Sequence, residues 1–219
     1  MHSSIKNYED IIRLIKSKLE GQKIIKFPKI IAVSKTFGLH KILPLIEYGH
    51  LDYGENKVQE AIEKWTEIKI EKPEIKLHLI GKLQTNKVKF AIKIFDYIHS
   101  VDSIKLAKKI SDEQIKQNKR VKIFIQVNIG SEEQKSGVEI HEIGELLNFC
   151  KKLNLDVIGL MCIPPLNQKF GEYFKKMNSL NKSFNLQEIS MGMSSDYLTA
   201  IENDATYLRI GSSIFGNRY

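Results

Sequence analysis

A single (β/α)8 barrel is the fold this sequence predicts, and three observations predict it. Short apolar runs rich in β-branched residues recur eight times along the chain. Longer polar stretches with helical spacing separate them. Each unit takes about 20–35 residues, which suits parallel strands joined by crossover helices. Eight such units in 219 residues match a compact barrel near the small end of its size range. No composition shift, Pro/Gly-rich linker or low-complexity stretch divides the chain, so residues 1–219 are expected to form one domain. An open doubly wound sheet is the competing arrangement, because eight strands can also stay unrolled.

The elements follow in order. Ile5, Tyr8, Ile11, Ile12, Ile15 and Leu19 have the spacing of an amphipathic helix before any strand appears. The predicted strands are Lys29–Ser34, His50–Tyr53, Leu77–Ile80, Tyr97–Val101, Val121–Asn128, Asp156–Ile163, Gln187–Met191 and Tyr207–Ile210. Between them, Ile104 to Ile115 and the set Ile140, Ile143, Leu146, Leu147 and Cys150 carry helical periodicity. Only nine residues follow the eighth strand, too few for a full outer helix. The N-terminal helix is therefore expected to cover the barrel where that helix would lie.

Composition narrows the function. The net charge of +8 invites a nucleic-acid partner, but only four of the 34 basic residues are arginines, Arg13, Arg120, Arg209 and Arg218. Base and phosphate recognition favours the planar guanidinium, and scattered lysine mostly solvates a surface. With 32 isoleucines beside 30 lysines, the charge reads as a chain-wide bias, and no specific nucleic acid is expected. No run approaches the roughly 18 apolar residues of a membrane span. The N-terminus lacks the continuous apolar core of a signal peptide, so no membrane partner and a cytoplasmic location are expected. Cys150 and Cys162 make neither a disulfide framework nor a metal cluster, and Cys162 is expected to be a small core residue.

In such barrels the working residues sit where strands end. Strand one ends in Ser34-Lys35-Thr36. A lysine there is pushed toward a partly desolvated rim, where a neutral amine, the form that attacks a carbonyl, is easier to keep. The plain alternative is a solvated lysine, one among 30. Strand seven runs into Ser190-Met191-Gly192-Met193-Ser194-Ser195-Asp196 before a helix-like Tyr197–Glu202, and strand eight carries Arg209 into Gly211-Ser212-Ser213. Hydroxyls and exposed N–H groups at helix starts suit a phosphate, and the loops after strands seven and eight are this fold's common phosphate site. The alternative is ordinary capping and turning. Arg209, charged and inside an apolar strand, needs a partner. A pyridine nitrogen would provide one and would stay unprotonated, which weakens the ring as an electron sink. His78 is either a proton carrier or a hydrogen-bonded core residue. Asp52 and Glu55 form no obvious carboxylate pair. Met161, Met191 and Met193 stand at strand ends, where they line a pocket or fill core gaps.

Several motifs in order resemble one family, the pyridoxal phosphate homeostasis proteins, whose fold is similar to the N-terminal barrel of alanine racemase. They are Ala32–Thr36 (AVSKT), Gly54–Glu60 (GEN with VQE), His78–Lys87 (HLIGKLQTNK) and Gln126–Ile129 with Lys135–Gly137. Gly159–Pro165, Ser190–Asp196 (SMGMSSD) and Arg209–Arg218 (RIGSSIFGNR) complete the set, from about Lys29 to Arg218. The resemblance implies pyridoxal 5′-phosphate (PLP) as cofactor, held as a Schiff base on Lys35. It implies Arg209 at the pyridine nitrogen and Ser194, Gly211 and Ser212 at the phosphate, with Asn56 and Met193 lining the cofactor. Ser212 stands where threonine is common, Lys82 replaces a frequent proline, and Phe37-Gly38 replaces a basic, proline-containing stretch. These changes leave the roles of the Lys82–Lys89 loop and of partner contacts at that rim open. The resemblance further implies a carrier or regulator of PLP and amino-acid balance, without efficient turnover, that exchanges PLP with PLP-dependent enzymes. A monomer is expected. The alternatives are a small single-domain racemase or lyase using PLP, and a basic nucleic-acid-binding module. A racemase of this type takes a tyrosine base from a second domain, and this chain reaches Tyr219 directly after the barrel.

Overall fold

The computed structural model describes residues 2–20, 26–165 and 170–217. Eight strands, all parallel, pair in sequence order and close on themselves: β1 (Lys29–Val33), β2 (Asp52–Glu55), β3 (Lys76–Leu79), β4 (Tyr97–Val101), β5 (Lys122–Val127), β6 (Asp156–Cys162), β7 (Glu188–Met193) and β8 (Tyr207–Ile210). The seam is β1 against β8, with Ile31 opposite Arg209. Closure excludes the open doubly wound sheet.

Among the described residues nine α-helices flank the strands: α1 (Ser3–Glu20), α2 (Leu39–Glu47), α3 (Val58–Glu71), α4 (Val88–Ile94), α5 (Ile104–Gln117), α6 (Ile143–Lys152), α7 (Phe170–Ser183), α8 (Tyr197–Ile201) and α9 (Ser212–Phe215). Helix α1 buries Ile11 and Ile15 and packs against α2, α8 and α9, the place a helix after β8 would take. Asn7 Nδ2 donates to the Ile214 carbonyl (3.0 Å), tying α1 to the last short helix. No described helix is long and apolar enough to cross a membrane.

Predicted and observed strands agree within a few residues, except at β2, which lies two residues later than His50–Tyr53. His50 is diverted before the strand begins. Its Nε2 bonds the Asp52 carbonyl (2.8 Å) and its Nδ1 the Tyr8 hydroxyl of α1 (3.0 Å). The strand then runs on through Gly54 and Glu55, residues of low strand propensity, because pairing with β3 outweighs propensity. At the other end of the barrel, β7 continues two residues past the predicted Met191.

Side chains alternate across the barrel wall. Outward residues such as Leu208, Ile210, Ile123 and Ile125 join the large core beneath the helices. Inward, Ile31, Tyr97, Phe124, Met161 and Tyr207 form a small apolar plug. Buried among these rings are His78, His99, Ser190 and Arg209. The lumen is thus filled below the strand ends, and any ligand must sit on top of this plug.

Candidate functional site

The β1 end is held by its neighbours. Ser34, fully buried, donates from Oγ to Glu55 Oε1 (2.7 Å). The same oxygen accepts from Lys64 Nζ (2.9 Å) and Trp65 Nε1 (3.0 Å) of α3. Lys64 also donates to the Ser34 carbonyl (2.9 Å) and to Glu60 Oε1 (3.1 Å). Glu60 Oε1 in turn accepts the Thr36 N–H (2.6 Å), and Thr36 takes a left-handed φ of 66°. Lys35 therefore lies between two residues that α3 grips from either side. Burial pulls the Glu60 carboxyl up, but the Thr36 N–H and the Lys64 ammonium outweigh it and hold that carboxyl below its ordinary value. This frame was not legible beforehand. Glu55 and Glu60 stand in the GEN and VQE motifs, yet only the register of β2 and α3 shows what they grip.

Lys64→Met should leave the buried Glu55 carboxylate and the partly exposed Glu60 without their shared ammonium, a loss of about 3–5 kcal/mol for the broken buried Glu55 pair. We expect the urea midpoint of the cofactor-free protein to fall accordingly. An unchanged midpoint would mean that the frame holds nothing.

The stretch of rim next to β1 across the seam comes from β7 and β8. Asp196 Oδ1 accepts the Met193 N–H (2.5 Å) and fixes the turn between them. Burial pushes the Asp196 carboxyl above its usual value despite that bond. Ser194 Oγ then accepts N–H groups from Gly211 (3.2 Å) and Ser213 (3.3 Å), lacing the two loops together. A side chain at Gly211 would meet the Val33 carbonyl at 3.2 Å, so the glycine lets β8 pass close to β1. Helices α8 and α9 span five and four residues. Their dipoles are therefore small, and the polar character of this corner comes from individual hydroxyls and N–H groups.

Arg209 departs from expectation in one respect. Its charge is fully enclosed, but the protein already gives it partners: Nη1 donates to Ser190 Oγ (2.7 Å) and Nη2 to the Cys162 carbonyl (2.8 Å). Arg209 is therefore not an unpaired charge that depends on a ligand for its partners. Burial still presses against its charged form. Further N–H groups of the fork remain for a ligand in the cavity it lines.

That cavity measures about 280 Å3 and is lined by Val33, Lys35, Asn56, Ile80, Ile163, Met193, Ser194, Ser195, Arg209, Gly211 and Ser212. The structure thus brings Lys35, Asn56, Met193, Ser194, Arg209, Gly211 and Ser212 together around one space. Asn56 is placed there by Gly81, whose missing side chain would lie 2.3 Å from the Asn56 carbonyl oxygen. An amine after β1, a guanidinium on the adjacent β8 and hydroxyls from the loops after β7 and β8 suit a flat, polar, phosphorylated ring carrying a carbonyl group. A second recess of about 340 Å3 adjoins the first through Asn56, Ile80 and Ile163, and Lys82 and Lys135 reach it. Lys82 is the one residue of the 82–89 loop on that recess.

Other expectations resolve simply. His78 is buried in the lumen and does not line the cavity, which is the core reading. Met161 joins the plug and Met191 the outer core, leaving Met193 as the methionine at the site. Both cysteines are buried. Burial pushes the Cys150 thiol up to about 11 and the Cys162 thiol up to about 12, so neither is a ready nucleophile. Arg218 and Tyr219 lie outside the described residues.

Comparison with known proteins settles the family. Residues 7–218 match the model of the alanine racemase N-terminal domain. A pyridoxal phosphate homeostasis protein from Aquifex aeolicus is 39% identical over 200 residues, 87% of either chain. The chain belongs to the pyridoxal phosphate homeostasis protein family, built on the alanine racemase N-terminal domain. Among solved structures, PipY of Synechococcus elongatus PCC7942 with PLP bound has a TM-score of 0.81 at 32% identity, covering 92% of this chain and all of that one. An alanine racemase from Clostridium difficile 630 shares the fold at 15% identity, with a TM-score of 0.68. There the match covers 95% of this chain and 57% of the racemase, so this family's barrel corresponds to part of that enzyme.

Proposed function

We propose that the rim cavity holds PLP on Lys35 as a Schiff base, and that the protein keeps and hands on this cofactor without efficient amino-acid turnover. The observation that carries this reading is the composition of the cavity wall. Lys35, Arg209 and the laced Ser194–Gly211 corner converge there, and among the described residues no His, Tyr, Cys, Asp or Glu lines the cavity. PLP supplies an aldehyde that amines capture and a ring that draws electrons from the attached carbon. The chain's own residues then have distinct tasks. Lys35 offers the amine. Ser194 and the turn at Gly211-Ser212 take the phosphate. Arg209 donates to the ring nitrogen and leaves it unprotonated, so proton loss next to the captured amine gains little help. Asn56 and Met193 confine the ring.

Two-face chemistry such as racemisation needs an acid–base group opposite the lysine within hydrogen-bonding reach. The wall supplies none among the described residues. Handing PLP on would need only that an incoming amine exchange with Lys35 at the cofactor's carbonyl carbon, and the adjoining recess gives an amino acid room, with Lys82 and Lys135 as countercharge for its carboxylate. The name of the Aquifex relative and the PLP in the PipY structure support the same reading. Donors and recipients would be PLP-dependent enzymes, met in the cytoplasm by a monomeric carrier.

The test is incubation of the PLP-loaded protein with L-alanine and L-serine, followed by chiral analysis and keto-acid detection. The carrier reading expects slow exchange with free amines and little else. Turnover on the order of 1 s⁻¹, ordinary for an enzyme, would replace it with a small single-domain racemase or lyase.

A further inference from the structure

Four hydrogen bonds run through the barrel lumen without a break. Arg209 Nη1 meets Ser190 Oγ at 2.7 Å. Ser190 Oγ meets His99 Nδ1 at 2.9 Å, His99 Nε2 meets His78 Nδ1 at 3.0 Å, and His78 Nε2 meets Asp52 Oδ1 at 3.0 Å. The three intervening side chains are fully buried. Asp52, at the first residue of β2, lies at the opposite end of the barrel, beside Tyr8, Tyr48 and Lys29 in a separate recess.

The ends of this chain dictate its direction. A guanidinium only donates, and a carboxylate only accepts. Ser190 therefore takes a bond from Arg209 and passes its own proton to His99 Nδ1. His99 donates from Nε2 to His78 Nδ1, and His78 donates from Nε2 to Asp52. With both imidazoles neutral, no other arrangement leaves all four contacts as hydrogen bonds. Moving the His78 proton to Nδ1 would set a nitrogen lone pair against the carboxylate. Burial, which favours the uncharged imidazole at both histidines, agrees. Stacking fixes the rings: His78 lies on Tyr97 at 4.2 Å and 11°, and His99 on Phe124 at 4.3 Å and 22°.

We propose that Ser190, His99, His78 and Asp52 are positioning residues, a directed chain that aims Arg209 at the cofactor ring, so that a change at Asp52 is felt at the ring nitrogen. This rests on the reading that Arg209 faces that nitrogen. The physical reason for such a chain is specificity of orientation. A guanidinium held only by the Cys162 carbonyl can pivot, and Ser190 fixes the second point. Ser190 holds its own angle because His99 requires its proton.

Two measurements test the proposal, one of them without cofactor. Nitrogen-15 NMR of the PLP-free protein at pH 7 should show His78 and His99 both protonated at Nε2 and bare at Nδ1. An Nδ1–H on either ring overturns the directed chain. Added PLP should then bind Ser190→Ala about tenfold more weakly, the size of one lost charge-assisted hydrogen bond, with a displaced absorption maximum. Ser190 is enclosed, so Asp52 provides the more tolerant site. Asp52→Ala should displace the maximum in the same direction, whereas Asp52→Asn, which keeps an acceptor, should restore it. The exposed control Asp112→Ala should leave it in place. Arg209→Gln separates the two ideas. If it leaves the spectrum unmoved, Arg209 is not at the ring and the proposal falls with that reading. If it moves the spectrum while folded Ser190→Ala and Asp52→Ala do not, Arg209 keeps its place and the chain behind it does not aim it.

Discussion

Replacing Lys35 by alanine is expected to abolish covalent retention of PLP. The native protein should be yellow, and borohydride should fix the label on one peptide, the one carrying Lys35. In the alanine variant the same treatment should leave the protein colourless after gel filtration. The expectation comes from geometry, since the chain has 30 lysines and, among the described residues, one of them lines the cavity. Losing the tethering bond while keeping the phosphate and ring contacts should weaken retention at least about 100-fold, since an intramolecular partner acts at high effective concentration. Ser194 laces the turn at Gly211 and Ser213, so the variant should still fold. Label found on Lys82 or Lys135 instead would move the attachment point into the adjoining recess and refute the assignment.

Acid should destabilise the protein well above the range in which carboxylates titrate. His50, His78 and His99 are all buried with their imidazoles pushed below the ordinary value, chiefly by desolvation, and His99 furthest. A histidine with a lowered folded value binds its proton more readily once unfolded. Its contribution is therefore present above the unfolded value, near pH 6.5, and is lost as the pH falls below it. Between pH 7 and pH 5 each imidazole that stays neutral in the fold costs up to about 2 kcal/mol. The three together set a ceiling of several kcal/mol on this loss, against the roughly 5–15 kcal/mol of a typical domain. Asp102 and Asp196, whose carboxyls burial pushes up, act in the opposite sense as they gain protons in the fold. Asp52 and Glu60, held low, add their loss only in stronger acid. Urea midpoints of the cofactor-free protein at pH 7, 6 and 5 decide the matter. A flat profile over that range would show that the fold takes up as many protons as the unfolded chain, and the expectation would fail.

What could be read in advance follows from what periodicity encodes. Alternating apolar runs define strands, and strand ends define the rim, so Lys35, Ser194 and Arg209 were visible from position alone. The lumen was not. His99 sits beside Ser100 in Tyr97–Val101, a polar pair inside an otherwise apolar run, and Ser190 looks like part of the following loop motif. Neither has a partner nearby in sequence: His99 and Ser190 are 91 residues apart. The carboxylates of β2 and α3 were opaque for the same reason, because register, and not local pattern, pairs Glu55 with Ser34. Arg209 shows the limit of arguing from burial alone. An enclosed charge requires partners, but it does not say whether a ligand or the protein supplies them.

The β1–β8 seam has a consequence for biosynthesis. Lys35 follows the first strand, while Arg209, Gly211 and Ser212 belong to the last, and the two strands meet only on closure. A growing chain that has made seven strands carries the amine but neither the guanidinium nor the second half of the phosphate corner. It also lacks α9, against which α1 packs, leaving the opening helix without part of its seat. PLP capture should therefore be a late event, possible only once residues 209–213 have left the ribosome. Colour acquired during translation would then report that the ring of strands has shut.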